Sequence, residues 1–335
     1  MRSEQPEMVG WEITRQCNLT CPHCYTAATR RPMPDLSTPE CKAIIDDLAT
    51  MGTRSIGWTG GEPLLRADLE EIVAYGKAKG NFRQGVTTNG VLLDESRARS
   101  LKAAGITYIQ ISLDGSNPEQ NMIMRRMTED EFNKIIEAVR ICKRLELTLD
   151  LAMLLGRDTI DDAWEFIKLA RREGVSHIRY CGFVPWGRGK QKDVVERLLF
   201  REDRDKLRQF VLDAADIKDP IQMFDPAFGP LPPNYEFHDC IAGKQMLYIS
   251  STGEVYPCTS LLDKQFCVGN LHHRSIRELW NDPKMTEMSE FPFENIHGTC
   301  RSCETFPVCH GGCRGITYAH TRDLLASFPM CLKQA

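Results

Sequence analysis

Apolar residues in the first 185 positions follow two alternating rhythms. Short runs rich in β-branched and aromatic residues lie at 8–13 (MVGWEI), 54–59 (RSIGWT), 82–88 (FRQGVTT), 107–113 (TYIQISL), 147–153 (LTLDLAM) and 176–183 (SHIRYCGF). Between them, at about 38–51, 68–79, 94–104, 128–145 and 159–173, apolar residues recur at every third or fourth position. The two periods predict six strands alternating with helices, which is the pattern of βα units and a parallel sheet. "DLSTPE" supplies one helix start, with Ser37 or Thr38 as N-cap and Pro39 in the first turn. Six right-handed βα units are too few to close an eight-stranded barrel, so an α/β fold with an open, partial (β/α)6 barrel is expected.

In such a sheet chemistry belongs at the C-terminal strand ends. "CNLTCPHC" follows the first strand, "GGEP" the second, "TNG" the third, "SLDG" the fourth and "CGFVPWGRGK" the sixth. From 201 to 235 the pattern changes to a charged helix and a proline-rich turn, "DPAFGPLPPNY", which reads as a linker. Residues 236–335 lose the alternation. "QMLYISSTGEVYPC" predicts a hairpin turning at Ser251, Thr252 and Gly253, and eight cysteines are gathered in this part. The expected organisation is therefore a barrel over 1–200, a linker over 201–235 and a small cysteine-rich domain over 236–335.

Composition narrows the function. A chain of 335 residues with 42% apolar content can build real cores, and a net charge of -4 gives no general basic surface, so nucleic acid is not an expected partner. "MRSEQPEMVGW" contains no apolar signal core and no run is long enough to span a bilayer, so a soluble, cytoplasmic protein without a membrane partner is expected. Fourteen cysteines in so long a chain, in a reducing compartment, read as metal or iron-sulfur ligands rather than as a disulfide scaffold.

Cys17, Cys21 and Cys24 are one ligand short of a structural zinc site. Three thiolates suit a cubane cluster with one iron left open, although His23 could complete a zinc site. The spacing C-x3-C-x2-C, with "GGEP" at 60–63, "TTNG" and "SLDG" at successive strand ends, resembles the radical S-adenosylmethionine (SAM) superfamily over nearly the whole chain. Singly, each of the short motifs is an ordinary turn sequence.

The resemblance implies that Cys17, Cys21 and Cys24 ligate a [4Fe-4S] cluster whose fourth iron is chelated by SAM, with His23 near adenine. It implies that Gly60, Gly61 and Glu62 receive the methionine amino group, and that Thr88, Asn89, Ser112 and Asp114 face the ribose and carboxylate. Arg126, or its neighbour Arg125, is expected to pair with that carboxylate. The implied chemistry is reductive cleavage of SAM to a 5′-deoxyadenosyl radical that abstracts hydrogen from an unactivated C–H bond, with a flavodoxin- or ferredoxin-type reductant as partner.

The later thiols read C240-x12-G253-x4-C258, C300-x2-C303-x5-C309-x3-C313 and Cys331. This is similar to the SPASM extension of the same superfamily. The likeness implies two auxiliary [4Fe-4S] clusters, one held by Cys240, Cys258 and Cys313 and the other by Cys300, Cys303, Cys309 and Cys331. The fourth position of the first is open, or filled by Cys267, Asp239 or His238. Iron binding is then expected to supply much of this region's folding energy.

Cys41 and Cys142 sit in helical periods and are expected in the core. Cys181 and Cys267 are candidate hydrogen donors, and Trp186, Arg188 and Lys190 in "VPWGRGK" are candidate substrate contacts. Only sixteen residues precede Cys17, which leaves no room there for a leader-peptide domain. A small molecule of sugar, nucleoside or tetrapyrrole type is therefore the expected substrate. A peptide- or protein-modifying maturase is the alternative, followed by a non-catalytic iron-sulfur carrier and a zinc-binding interaction protein.

Overall fold

The computed structural model describes residues 2–196, 203–225, 228 and 240–332. Strand β1 (Met8–Thr14) is followed by α1 (Thr38–Met51), β2 (Ser55–Gly60), α2 (Leu69–Lys79), β3 (Arg83–Thr88), α3 (Glu95–Ala104) and β4 (Ile106–Ser112). Then come α4 (Pro118–Arg125), α5 (Glu129–Arg144), β5 (Thr148–Leu154), α6 (Ala163–Glu173) and β6 (His177–Cys181). The six expected strands and five expected helices are all present. Ser37 is the N-cap of α1, its backbone N–H donating to Glu40 Oε2 at 2.8 Å, and Gly52 ends the helix in the left-handed region at φ 83°.

The sequence period missed α4. Eight residues are too few for a visible repeat, although Asn117 caps the helix by accepting from Gln120 N at 3.0 Å and Pro118 occupies its first turn. Where 201–235 is described, the charged helix expected of the linker is present, and the chain there packs onto the barrel and adds a strand to it. After the short α7 (Lys192–Val195), helix α8 (Arg204–Ala215) buries Leu207, Phe210 and Val211, and β7 (Ile221–Phe224) pairs parallel to β6. The strand was illegible because it is four residues long and abuts the proline-rich stretch, most of which lies outside the described residues.

The predicted hairpin forms as β8 (Met246–Ile249) and β9 (Glu254–Tyr256), with β10 (Gly269–Asn270) antiparallel to β9. Strand β8 pairs parallel to β1, so one sheet runs β10-β9-β8-β1-β2-β3-β4-β5-β6-β7. The cysteine-rich part thus covers the edge that β1 would otherwise expose. Four short α-helices follow among the described residues: α9 (Ile276–Trp280), α10 (Pro283–Ser289), α11 (Phe306–Cys309) and α12 (Arg314–Thr321). The main core lies between the sheet and α1, α2, α3, α5 and α6, with Trp11 and Trp58 packed at 5.3 Å between ring centroids. Ile276, Leu279, Trp280 and Met285 extend the same core, whereas Ile296, Cys300, Ile316, Phe328 and Cys331 form a separate cluster. Cys41 and Cys142 are fully buried in the main core.

Candidate active site

Register creates room inside the sheet. Gly10, Gly57 and Gly85 stand side by side on β1, β2 and β3, so these three strands add no side chain at that level, where the Tyr248 and Tyr108 rings of β8 and β4 lie against Gly10 and Gly85. Above it lies a cavity of about 440 Å³ at the C-terminal strand ends. Cys17, Cys21 and Cys24 line it together with Gly60, Gly61, Thr88, Asn89, Ser112, Asp114 and Cys181, residues drawn from five strand ends.

The cysteine loop is built by local hydrogen bonds. Leu19 N donates to Cys17 Sγ at 3.4 Å, Ala28 N to Cys24 Sγ at 3.4 Å, and Cys17 N bonds Thr29 O at 2.8 Å. Burial pushes the Cys17 thiol up to about 12 and raises Cys21 as well. Thiols so buried need a cationic partner to ionise, which is what an iron cluster supplies. Three thiols lining one cavity suit a multi-iron group that keeps one iron open, so the residues present fit the cluster.

Gly60 and Gly61 are required by close approach. A Cβ at Gly60 would lie 2.3 Å from Thr14 O, and one at Gly61 2.2 Å from Gln16 O, because Gly61 N bonds Thr14 O at 2.7 Å. Glu62 is engaged by the chain itself. It is fully buried, its Oε1 accepts from Thr88 Oγ1 at 2.7 Å and Leu64 N at 3.1 Å, and its Oε2 accepts from Asn89 N at 2.8 Å. The carboxylate therefore ties "GGEP" to "TTNG", and burial raises its pKa.

Asp114 is equally committed. Its Oδ1 accepts from Leu154 N at 2.8 Å, and its Oδ2 pairs with Arg125 Nε at 2.8 Å and with His23 Nε2 at 3.5 Å. Burial lowers His23 to about 4, so its imidazole is neutral. Arg125 lines the cavity, whereas Arg126 is an exposed residue with left-handed backbone that ends α4. The expectation favouring Arg126 is corrected to Arg125, the last residue of the helix that the period missed.

The "VPWGRGK" loop does not gather at the cavity as expected. Arg188 reaches the lining, but its Nε donates to Cys21 O at 2.9 Å and its Nη1 to Ala28 O, while Arg188 N bonds Cys24 O at 3.0 Å. Gly187 allows this approach, since a Cβ there would meet Tyr25 O at 2.5 Å. Trp186 is buried away from the cavity, donating Nε1–H to Ser260 O at 2.9 Å and stacking on Tyr318, and Lys190 is exposed. The loop is a clamp on the cysteine loop.

Arg179 and Asp225 were missed. Both line the cavity and pair at 3.0 Å, and Arg179 shares a strand face with Cys181 through their two-residue spacing. That spacing was the available signal. The Cys181 thiol is pushed up by burial first and then by Asp225. Cys267 lies elsewhere, beside Gly269 O at 3.5 Å, with Tyr256 and Glu254 as neighbours.

The later cysteines fall into two neighbourhoods. Cys258 is electrostatically coupled to Cys313 and Cys240, and Cys309 to Cys331, Cys300 and Cys303, with burial raising both thiols. Asp239 and His238 lie outside the described residues. Thr259 and Ser260, immediately after Cys258, line the cavity, so the first neighbourhood adjoins it.

A half-open parallel barrel with three thiols at its mouth and a thiol-rich extension on its edge defines an iron-sulfur enzyme architecture. Residues 11–170 match the Radical SAM superfamily and residues 240–304 match SPASM, an iron-sulfur cluster-binding domain. The AdoMet-dependent heme synthase of Methanosarcina barkeri is 30% identical, with 98% of this chain and 96% of the relative covered. The mycofactocin maturase MftC of Mycolicibacterium smegmatis is 29% identical, covering 98% of this chain and 83% of the relative. Among solved structures, native anSMEcpe with bound AdoMet superposes with a TM-score of 0.78 at 18% identity over 97% of this chain and 94% of that one. The chain belongs to the radical SAM superfamily. It is a radical SAM enzyme with a C-terminal SPASM domain, and SAM and [4Fe-4S] clusters are its cofactors. Among the described residues no helix is long and apolar enough to cross a membrane.

Proposed function

We propose that this enzyme is an oxidoreductase that abstracts hydrogen from an unactivated C–H bond of a small molecule, with a tetrapyrrole as the favoured class over a sugar or nucleoside. The observation that carries the reading is the single cavity shared by three thiols, the Gly60–Gly61 backbone and the Arg179–Asp225 pair. The heme synthase relative supports the tetrapyrrole class. Cluster and SAM, when bound, supply the 5′-deoxyadenosyl radical on reduction by a flavodoxin- or ferredoxin-type protein.

The chain's own residues do the positioning. Cys17, Cys21 and Cys24 hold the first cluster, and the clamp from Arg188 to the carbonyls of Cys21 and Ala28 fixes their loop. Gly60 and Gly61 present backbone to the methionine end of SAM, Ser112 faces the same space, and Arg125 is held by Asp114 for a carboxylate. Thr88, Asn89 and Glu62 keep the second and third strand ends in register. Arg179 offers a guanidinium for an acidic group of the substrate, and Thr259 and Ser260 help to close the mouth against water. The two thiol neighbourhoods, Cys240, Cys258, Cys313 and Cys300, Cys303, Cys309, Cys331, hold the auxiliary clusters, the first near enough to the cavity to receive an electron. Cys181 stays protonated by burial, the form a hydrogen-atom donor needs.

A second reading, a peptide-modifying maturase, is favoured by the mycofactocin maturase relative. Anaerobic reconstitution should give roughly twelve irons per chain and dithionite-dependent 5′-deoxyadenosine. Assaying an iron porphyrin, a nucleoside, a sugar and a peptide separates the readings, and conversion of the peptide alone would overturn the small-molecule one. Replacing Cys17, Cys21 and Cys24 by Ala should abolish deoxyadenosine while the auxiliary spectra remain. Cys181→Ala should change product or turnover, and an unaltered enzyme would remove Cys181 from the chemistry.

A further inference from the structure

Between the two C-terminal thiol neighbourhoods lies a buried cation. Arg314, at the start of α12, is only 1% exposed and is among the largest fully buried side chains of the protein. Its guanidinium folds back onto backbone carbonyls. Nε donates to Gly312 O at 3.4 Å, Nη1 to Leu324 O at 2.9 Å and Ala326 O at 2.8 Å, and Nη2 to Gly311 O.

None of these partners carries a charge. Among the described residues no carboxylate forms an ion pair with Arg314. Asp323 feels its charge, but that carboxylate is half-exposed and bonded to His297 Nε2 at 2.7 Å. A buried guanidinium without a counter-charge is strongly disfavoured. Thiols border it instead: Cys313 precedes it in the chain, and Cys309 and Cys300 flank the two backbone segments whose carbonyls it binds.

Chain geometry accounts for this placement. His310, Gly311 and Gly312, with φ of 46°, 77° and 72°, double back between Cys309 and Cys313, so the two neighbourhoods meet at one short link whose carbonyls face Arg314. On the other side, Ala326 precedes Ser327, whose Oγ accepts from Cys300 N at 2.9 Å, and Phe328 N donates to Cys300 Sγ at 3.4 Å. The guanidinium is thus held by both backbone segments that carry the thiols.

We propose that Arg314 is the counter-charge shared by the two auxiliary clusters, a positioning residue that offsets thiolate charge on both sides and holds both midpoint potentials up. This rests on the assignment of the seven C-terminal cysteines as ligands. Reduction adds one electron, here from dithionite, to each cluster. A fixed positive charge in a low-dielectric setting favours the reduced form of either neighbour.

The test is a dithionite redox titration of the reconstituted holoprotein, followed by electron paramagnetic resonance, in Arg314→Gln and Arg314→Lys. Both are made in the background lacking Cys17, Cys21 and Cys24, which leaves only auxiliary signals. Arg314→Gln should lower both auxiliary potentials, and Arg314→Lys should leave them near those of the parent. If Arg314→Gln fails to load iron, loading by Arg314→Lys supports the charge, and failure of both overturns it in favour of the carbonyl bonds alone. Full loading of Arg314→Gln with neither potential moved, or only one, also overturns the proposal. Fewer than about eight irons in the parent would instead indict the ligand assignment.

Discussion

A methyl group at Gly61 would meet Gln16 O at 2.2 Å, so Gly61→Ala must push the second strand end away from the cysteine loop. The overpacking should cost about 2 kcal/mol in urea unfolding, with loss of 5′-deoxyadenosine formation. Arg125 and Arg126 give a sharper comparison. Arg125→Met leaves Asp114 buried beside only a neutral His23 and should cost about 3 kcal/mol, whereas Arg126→Ala should fall within about 0.5 kcal/mol of the parent. Equal effects in the two variants would contradict the assignment of the pair. At this scale the sequence marks backbone-driven positions well, because glycines and cysteines at strand ends have few other uses. It marks side-chain direction poorly. Glu62 and Asp114 are acidic residues in the expected motifs, yet their oxygens are consumed by backbone N–H groups, a hydroxyl and a guanidinium that only the fold brings near.

Elements of the barrel were legible because their periods are long enough to repeat, as in α5 with its seven buried apolar positions. Those that escaped are short or set by distant partners. Helix α4 has eight residues and β7 four, and nothing in "MLYI" says that β8 will lie parallel to β1 rather than only against β9. The loop from Phe183 to Lys190 shows the same limit: its Trp, Arg and Lys are chemically suited to a ligand, but two of its glycines let the backbone close on the cysteine loop instead. Trp186→Ala removes the bond to Ser260 O and the stack on Tyr318, and should cost about 3 kcal/mol. Hydrogen exchange should then quicken around residues 258–261, where the C-terminal part meets the barrel, while α1 and α2 keep their protection.

For the molecule as a whole, the main question is how far iron holds the C-terminal part together. Thiol density alone suggests that all of 236–335 depends on it, since small metal domains often fold only on binding. The packing divides that segment in two. Residues of β8, β9, α9 and α10, including Leu247, Ile249, Val255, Leu279, Trp280 and Met285, belong to the main core, and β8 is hydrogen-bonded to β1. From Phe291 onward most buried apolar residues form the small cluster of Ile296, Ile316 and Phe328 around Cys300 and Cys331, with Leu332 on the main core and Tyr318 on Trp186 and Phe266 as the ties outward, and this is little area to offset the entropy of ordering forty residues. Anaerobic removal of iron by a chelator should therefore release exchange protection in 291–332 first, leaving 246–256 and 276–288 protected nearly as long as β3 to β5. Simultaneous loss across 240–332 would show that the clusters, rather than the shared sheet, hold the hairpin on the barrel.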